Sequence, residues 1–223
     1  MTSHDPVVRV DVWSDVACPW CWVGWNRLNT AMQDLKEQAP ARFDVLWHAF
    51  LLDPAFTKGG KWDGAPFANW RWRPNTQGAH ELIALAGRHG CNHKAAGLLF
   101  WQTYEQGANV SGRPQLLEAA AQLGLPTGEA DAWLGSREAQ QAVAEEDQNA
   151  KGSRGIHSVP AFLISCGRGK PVQLVGAESV KAFEVAFRKT LHEAWVSTGA
   201  GSKTDGKAGG AAAEQPAEAA AEE

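Results

Sequence analysis

The chain has 223 residues, 44% hydrophobic, 21% charged and 9% aromatic, with a formal net charge of −4. That content suits one folded unit, or one unit with a large insertion, and excludes a wholly disordered or collagen-like chain. No apolar run approaches the roughly 18 residues of a spanning helix, and without a basic excess neither a membrane nor nucleic acid is an expected partner.

The chain starts without a basic stretch leading into an apolar one, so a cytoplasmic location is expected. Four cysteines are too few for a disulfide scaffold, so a close pair points to redox or metal chemistry. Val8, Val10 and Val12 alternate with Arg9, Asp11 and Trp13, the pattern of a strand. After Cys18-Pro19-Trp20-Cys21, apolar residues recur at Cys21, Trp25, Leu28, Met32 and Leu35, which is the stripe of an amphipathic helix ending by Pro40. A second strand over Phe43 to Phe50 completes a βαβ unit with a parallel pair.

Asp53 to Gly78 then forms a long polar segment carrying Trp62, Trp70 and Trp72. Its rings are expected to cover core beneath a loop, or to form the apolar lip of a groove. From Ala79 to about Lys151 the pattern is helical, with a start at Ser111-Gly112-Arg113-Pro114 and with Thr127 and Ser136 as expected N-caps. Ala161 to Ser165 and Val172 to Val175 are short strands on either side of a tight turn, so they should pair antiparallel before a last helix over Ser179 to Trp195. The expected organisation is a discontinuous α/β unit (7–54 and 155–196, βαβ…ββα), an all-helical insertion (55–154) and a disordered Gly/Ala/Glu tail (199–223).

The chemistry centres on Cys18 and Cys21. A C-x-x-C at a helix start places the first sulfur where unpaired N–H groups and a partial positive charge favour the thiolate. The second sulfur lies a turn behind and closes the disulfide through a mixed-disulfide intermediate. Pro19 fits the first helical turn, where its missing N–H costs nothing. The competing reading is half of a zinc site, completed by Cys91 and His93 with His89 nearby, but C-x-H is a poor ligand spacing. Val159-Pro160 enters the third strand. A cis proline there would leave no N–H to compete for the thiolate and would offer the Val159 backbone to an extended substrate.

Ser14 to Gly24 (SDVACPWCWVG) resembles the active-site stretch of DsbA-like thioredoxin-fold oxidoreductases of the FrnE-like subgroup. Trp47 to Pro54, Asn75-Thr76 with Ala79-His80, and Gly155 to Phe162 resemble further stretches of that subgroup, so that the likeness spans about Val8 to Leu191. It implies a thioredoxin-like fold with a helical insertion, and a thiol–disulfide oxidoreductase of protein or peptide thiols. Cys18 would be the nucleophile, Cys21 the resolving thiol and Pro160 the cis proline, with Trp20 and Val159 also meeting substrate. Gly176 matches the glycine ahead of the last helix. No metal or organic cofactor is implied; glutathione could serve as reductant, and a homodimer is allowed. Trp20 stands where many DsbA-like enzymes carry His, and an indole supplies no cation to a thiolate.

The 2-hydroxychromene-2-carboxylate isomerases and kappa-class glutathione transferases share the scaffold but use a single Ser at the reacting position, so a glutathione-dependent isomerase or transferase is the alternative. His157, three residues before Pro160, is a candidate for tuning Cys18. His48 and His80 are expected to be packed or hydrogen-bonded residues, Cys91 and Cys166 unpaired thiols, and Glu145, Glu146 and Asp147 a solvated helix face.

Overall fold

The computed structural model describes residues 5–62 and 71–197. The expectation for the tail lies outside the described residues, as does most of that for the Trp-rich segment. The first five elements are β1 (Val7–Ser14), α1 (Pro19–Gln38), β2 (Arg42–Ala49) and the paired two-residue strands β3 (Lys61–Trp62) and β4 (Trp72–Arg73). The helices α2 (Gln77–Arg88), α3 (Asn92–Tyr104), α4 (Arg113–Gln122), α5 (Thr127–Trp133) and α6 (Arg137–Lys151) follow. The chain closes with β5 (Ala161–Cys166), β6 (Val172–Val175) and α7 (Val180–Ser197).

The main sheet has the order β2-β1-β5-β6. β1 and β2 run parallel with Val10 opposite Val45, as the intervening helix requires. β5 lies antiparallel to both β1 and β6, with Val10 opposite Ile164 and Phe162 opposite Leu174. Val8, Val10 and Val12 therefore share one face with Phe162 and Ile164, and all five are fully buried. Phe183 of α7 meets Phe162 edge-on at 4.9 Å, and Phe187 meets Phe43 at 5.0 Å. Burying each such ring contributes about 2 kcal/mol. The buried apolar residues of this face and of α2–α5 form one continuous cluster.

Two glycines set how closely α1 packs. A Cβ on Gly97 of α3 would lie 2.4 Å from the Trp25 ring, so the bare backbone is what lets that indole lie flat against α3. A Cβ on Gly24 would lie 3.0 Å from Phe162 and 3.1 Å from Pro160, so α1 rides directly over the start of β5.

Two expectations need correction. Thr127 is the first residue of α5 rather than its cap, because Pro126 holds the extended cap position; Ser136 does cap α6, its Oγ accepting from the Ala139 amide at 3.1 Å. Glu146 and Asp147 are not a solvated face. Their carboxylates accept from the Ala49 and Leu51 amides at 2.8 and 2.7 Å, satisfying N–H groups at the end of β2 that no neighbouring strand reaches. Only Glu145 of that run is exposed.

Candidate active site

Cys18 is the N-cap of α1, with extended backbone (φ −96°, ψ 112°), and Pro19 opens the helix behind it. The Cys18 amide donates to the Asp15 carbonyl at 3.0 Å, and its own carbonyl accepts from the Cys21 amide at 3.0 Å. This tight turn leaves Cys18 7% exposed and Cys21 at 0%, while Trp20 stands out at 62%. All four cysteines are thiols.

The opposite wall comes from the far end of the chain. The Val159–Pro160 peptide bond is cis, and the Val159 carbonyl lies 3.7 Å from Cys18 Sγ. Pro160 is anchored by its carbonyl, which accepts from the Gly176 amide at 2.7 Å. Gly176 has φ +87°, a conformation open to glycine and strained for other residues. Cys18, Trp20, Cys21, Val159 and Pro160 are thus brought together from α1 and the start of β5.

The two sulfurs are electrostatically unequal. The Cys18 thiol is drawn down to about 7, first by the hydrogen bond from Cys21 and then by the Cys21 and Trp20 amides; burial and the Asp15 charge oppose this. Cys21 is pushed well above the ordinary thiol range by burial and by its role as donor to Cys18. One sulfur is therefore ready to attack near neutrality and the other holds its proton.

Beneath them lie residues that the sequence did not single out for a role here. Asp15 Oδ1 accepts from the Ala17 amide at 3.1 Å and Oδ2 from the Leu52 amide at 2.8 Å. His80 of α2 brings Nε2 to 3.4 Å from Asp15 Oδ1, off the line of a hydrogen bond, with side-chain exposures of 1% and 2%. The Tyr104 hydroxyl of α3 donates to the Val16 carbonyl at 3.0 Å. The one signal for Tyr104 was that it is the only tyrosine in the chain.

His157 is exposed on the loop ahead of Pro160, and the hydrogen bonds that draw down Cys18 come from α1 instead. His93 is packed between Trp25 and Trp47. Its Nδ1 accepts from Trp47 at 2.8 Å and its Nε2 donates to Asn29 at 3.0 Å, so neither nitrogen is left for a metal. Burial pushes it down to about 4, with Lys36 adding to the effect, and it is neutral. His89 pairs with Glu129 at 2.9 Å. Cys91 caps α3 and Cys166 ends β5 opposite Val8, so neither joins the dithiol. A cleft of about 670 Å³ runs between residues 54–58 and the starts of α2 and α4, lined by Phe56, Glu81 and Arg113, and it includes neither cysteine of the pair.

A family model described as the DSBA-like thioredoxin domain matches residues 9–188. The chain belongs to that family. Among solved structures it resembles a Streptomyces coelicolor protein described as a "probable DsbA oxidoreductase", at 23% identity and a TM-score of 0.69, over 83% of this chain and 91% of that one. It also resembles the cytosolic disulfide reductase DsbM of Pseudomonas aeruginosa, at 18% identity and TM-score 0.56, over 86% and 98% of the two chains. A 2-hydroxychromene-2-carboxylate isomerase matches at 15% identity and TM-score 0.61, over 82% and 96%. At these identities the likeness is one of fold. No curated protein matches the chain. Among the described residues no helix is long and apolar enough to cross a membrane.

Proposed function

We propose that this protein is a thiol–disulfide oxidoreductase that acts on protein or peptide thiols through Cys18 and Cys21. The observation that carries the reading is the asymmetry of the pair: a helix-capping thiol, 7% exposed beside Val159 and drawn down to about 7, and a fully buried thiol one turn behind it. The Cys18 thiolate attacks a substrate disulfide, forming a mixed disulfide and releasing one substrate thiolate. Cys21 then attacks Cys18 Sγ, closing the protein disulfide and releasing the second thiolate. The reverse sequence oxidises a substrate dithiol. Trp20 and the Val159 backbone flank the attacked sulfur and supply an apolar surface and an edge for an extended chain.

The dithiol carries the electrons itself, so the reaction needs no metal or organic cofactor. Glutathione is a fitting cytoplasmic reductant for the disulfide; DsbM, of similar fold, has been solved with GSH. The expected result is reduction of insulin disulfides by the reduced protein, lost by at least about a thousandfold in Cys18→Ser. Full activity in that variant would refute the assignment. The fold shared with the 2-hydroxychromene-2-carboxylate isomerase supports a second reading, glutathione-dependent isomerisation or transfer. That reading requires turnover to survive Cys21→Ser, whereas the oxidoreductase reading requires it to fall.

A further inference from the structure

The cleft of about 670 Å³ between residues 54–58 and the starts of α2 and α4 is a built hollow. A volume of that order is usual for a small-molecule site. Hydrogen bonds fix its walls. Asn75 Nδ2 donates to the Phe56 carbonyl at 2.7 Å, the Asn75 amide donates to Ser111 Oγ at 2.8 Å, and Asn109 Nδ2 donates to the Gly59 carbonyl at 2.9 Å. Gly60 has φ +71°, the left-handed region that favours glycine, and a Cβ there would lie 2.8 Å from Ser111 Oγ. Gly78 lets α2 and α4 close together, since a Cβ on it would lie 2.7 Å from Leu116 Cδ1.

Glu81 of α2 stands in the wall of this cleft. Its Oε1 accepts from Gln77 Nε2 at 3.1 Å and its Oε2 from the Gly135 amide at 2.6 Å, and both donor residues line the cleft with it. The residue is 2% exposed, yet among the described residues it forms no ion pair. That sets it apart from Asp11, which faces Arg9 and His48, and from Asp15, which faces His80. The neighbouring cations are committed elsewhere. Arg113 pairs with Asp131 at 2.8 Å and donates to the Leu134 carbonyl at 2.6 Å, and Arg88, over the Trp133 ring, pairs with Glu138 at 2.6 Å. Residues 63–70 contain no Lys, Arg or His that could supply a charge. Two neutral donors and the partial positive charge of the α2 start leave this buried carboxylate under-compensated.

We propose that this cleft binds a short peptide with free termini, its ammonium group on the Glu81 carboxylate and its carboxylate on Lys58. An ammonium fits Glu81 better than a metal ion does. A single carboxylate that already holds two N–H groups offers too few oxygens for a hard cation, whereas an ammonium needs one strong acceptor. Lys58 lines the loop wall, is exposed and has no partner among the described residues. Phe56, Leu116 and Leu134 add apolar surface for a side chain. Neither Cys18 nor Cys21 lines the cleft, so the inference goes beyond the dithiol reading and stands or falls apart from it.

The test is calorimetric titration of the full chain with leucylglycine, N-acetyl-leucylglycine and leucylglycine amide. Leucylglycine should bind saturably. The acetylated peptide, which has lost its cation, should bind about tenfold more weakly or worse, and the amide should bind more weakly by a smaller factor. Glu81→Gln keeps an acceptor for the Gly135 amide and removes the charge. It should weaken leucylglycine by about tenfold or more and leave the acetylated peptide unchanged. Lys58→Ala, at an exposed position, should bring leucylglycine down to the affinity of the amide. No binding of leucylglycine at millimolar concentration overturns the proposal, as does equal binding of the free and acetylated peptides, or a wild-type affinity in Glu81→Gln. If circular dichroism shows Glu81→Gln unfolded, an unchanged affinity for leucylglycine in folded Lys58→Ala overturns it.

Discussion

Two aspartate–histidine pairs hang from the same strand and the loop that follows it, four residues apart, and they are built differently. Asp11 accepts both Arg9 Nε and Nη2 at 2.9 Å and meets His48 Nε2 at 2.9 Å. His48 in turn reaches Glu146 of α6 at 3.4 Å and stacks on Trp13. Every member is bonded, and the cluster ties β1, β2 and α6 together. His48 is opposed by burial, yet the Asp11 and Glu146 hydrogen bonds raise it to about 9. Asp11 is also opposed by burial, and His48 and Arg9 hold it below the usual carboxylate range. Asp15 accepts from the Ala17 and Leu52 amides, His80 Nε2 lies 3.4 Å from its Oδ1, and, against burial, His80 and the Leu52 amide hold it below the usual carboxylate range. Both pairs hold a carboxylate below its ordinary range; the first rivets two strands to a helix, and the second lies under the cysteine turn. Residue type alone does not separate the two roles.

The comparison breaks if the rivet proves to matter for chemistry. Asp11→Ala strands Arg9 and His48 and should cost about 3 kcal/mol in urea unfolding, while reduction of insulin disulfides keeps its wild-type rate. A slowed insulin reduction in this folded variant would erase the distinction. A smaller effect follows from pH. A group raised on folding gives stability that is fully present below its unfolded value, near 6.5 for His48, and is lost as pH rises through about 9. Wild type should therefore lose about 2 kcal/mol between pH 7 and 9.5, and His48→Gln should lose clearly less, as read from urea midpoints. Asp11 has the opposite sign: its contribution is present above the ordinary carboxylate value and is lost as pH falls. The smallest change is Ser136→Ala, which removes only the cap of α6 and should cost about 1 kcal/mol; this sets the scale for docking α6 without touching either pair.

Local features of the sequence were legible and distant ones were not. The stripe of α1 is real, with Cys21, Leu28, Met32 and Leu35 all buried. The parallel and antiparallel pairings follow from the connections between strands; the helix-start N–H groups were expected to favour the Cys18 thiolate and do, after the hydrogen bond from Cys21, while burial raises Cys21. The roles of Glu146 and Asp147 were not legible, because their amide partners lie 97 and 96 residues away. A charged triplet on a helix looks the same whether water or a strand end receives it. His93 looked like a ligand candidate for the same reason: the two side chains that occupy its ring come from α1 and β2. Asp15 was visible only as part of a motif, since its burial depends on α2 and on the chain leaving β2.

The wall facing Cys18 is 141 residues downstream of it. β5, which that wall leads into, fills an interior place in the sheet between β1 and β6. During synthesis the dithiol therefore leaves the ribosome long before the strand that completes its surroundings. Until β5 arrives, a nascent chain carries two thiols without their carbonyl neighbour and a β1 that is bare along one edge. The surroundings of the two thiols are complete only once Val159 and β5 have followed them out.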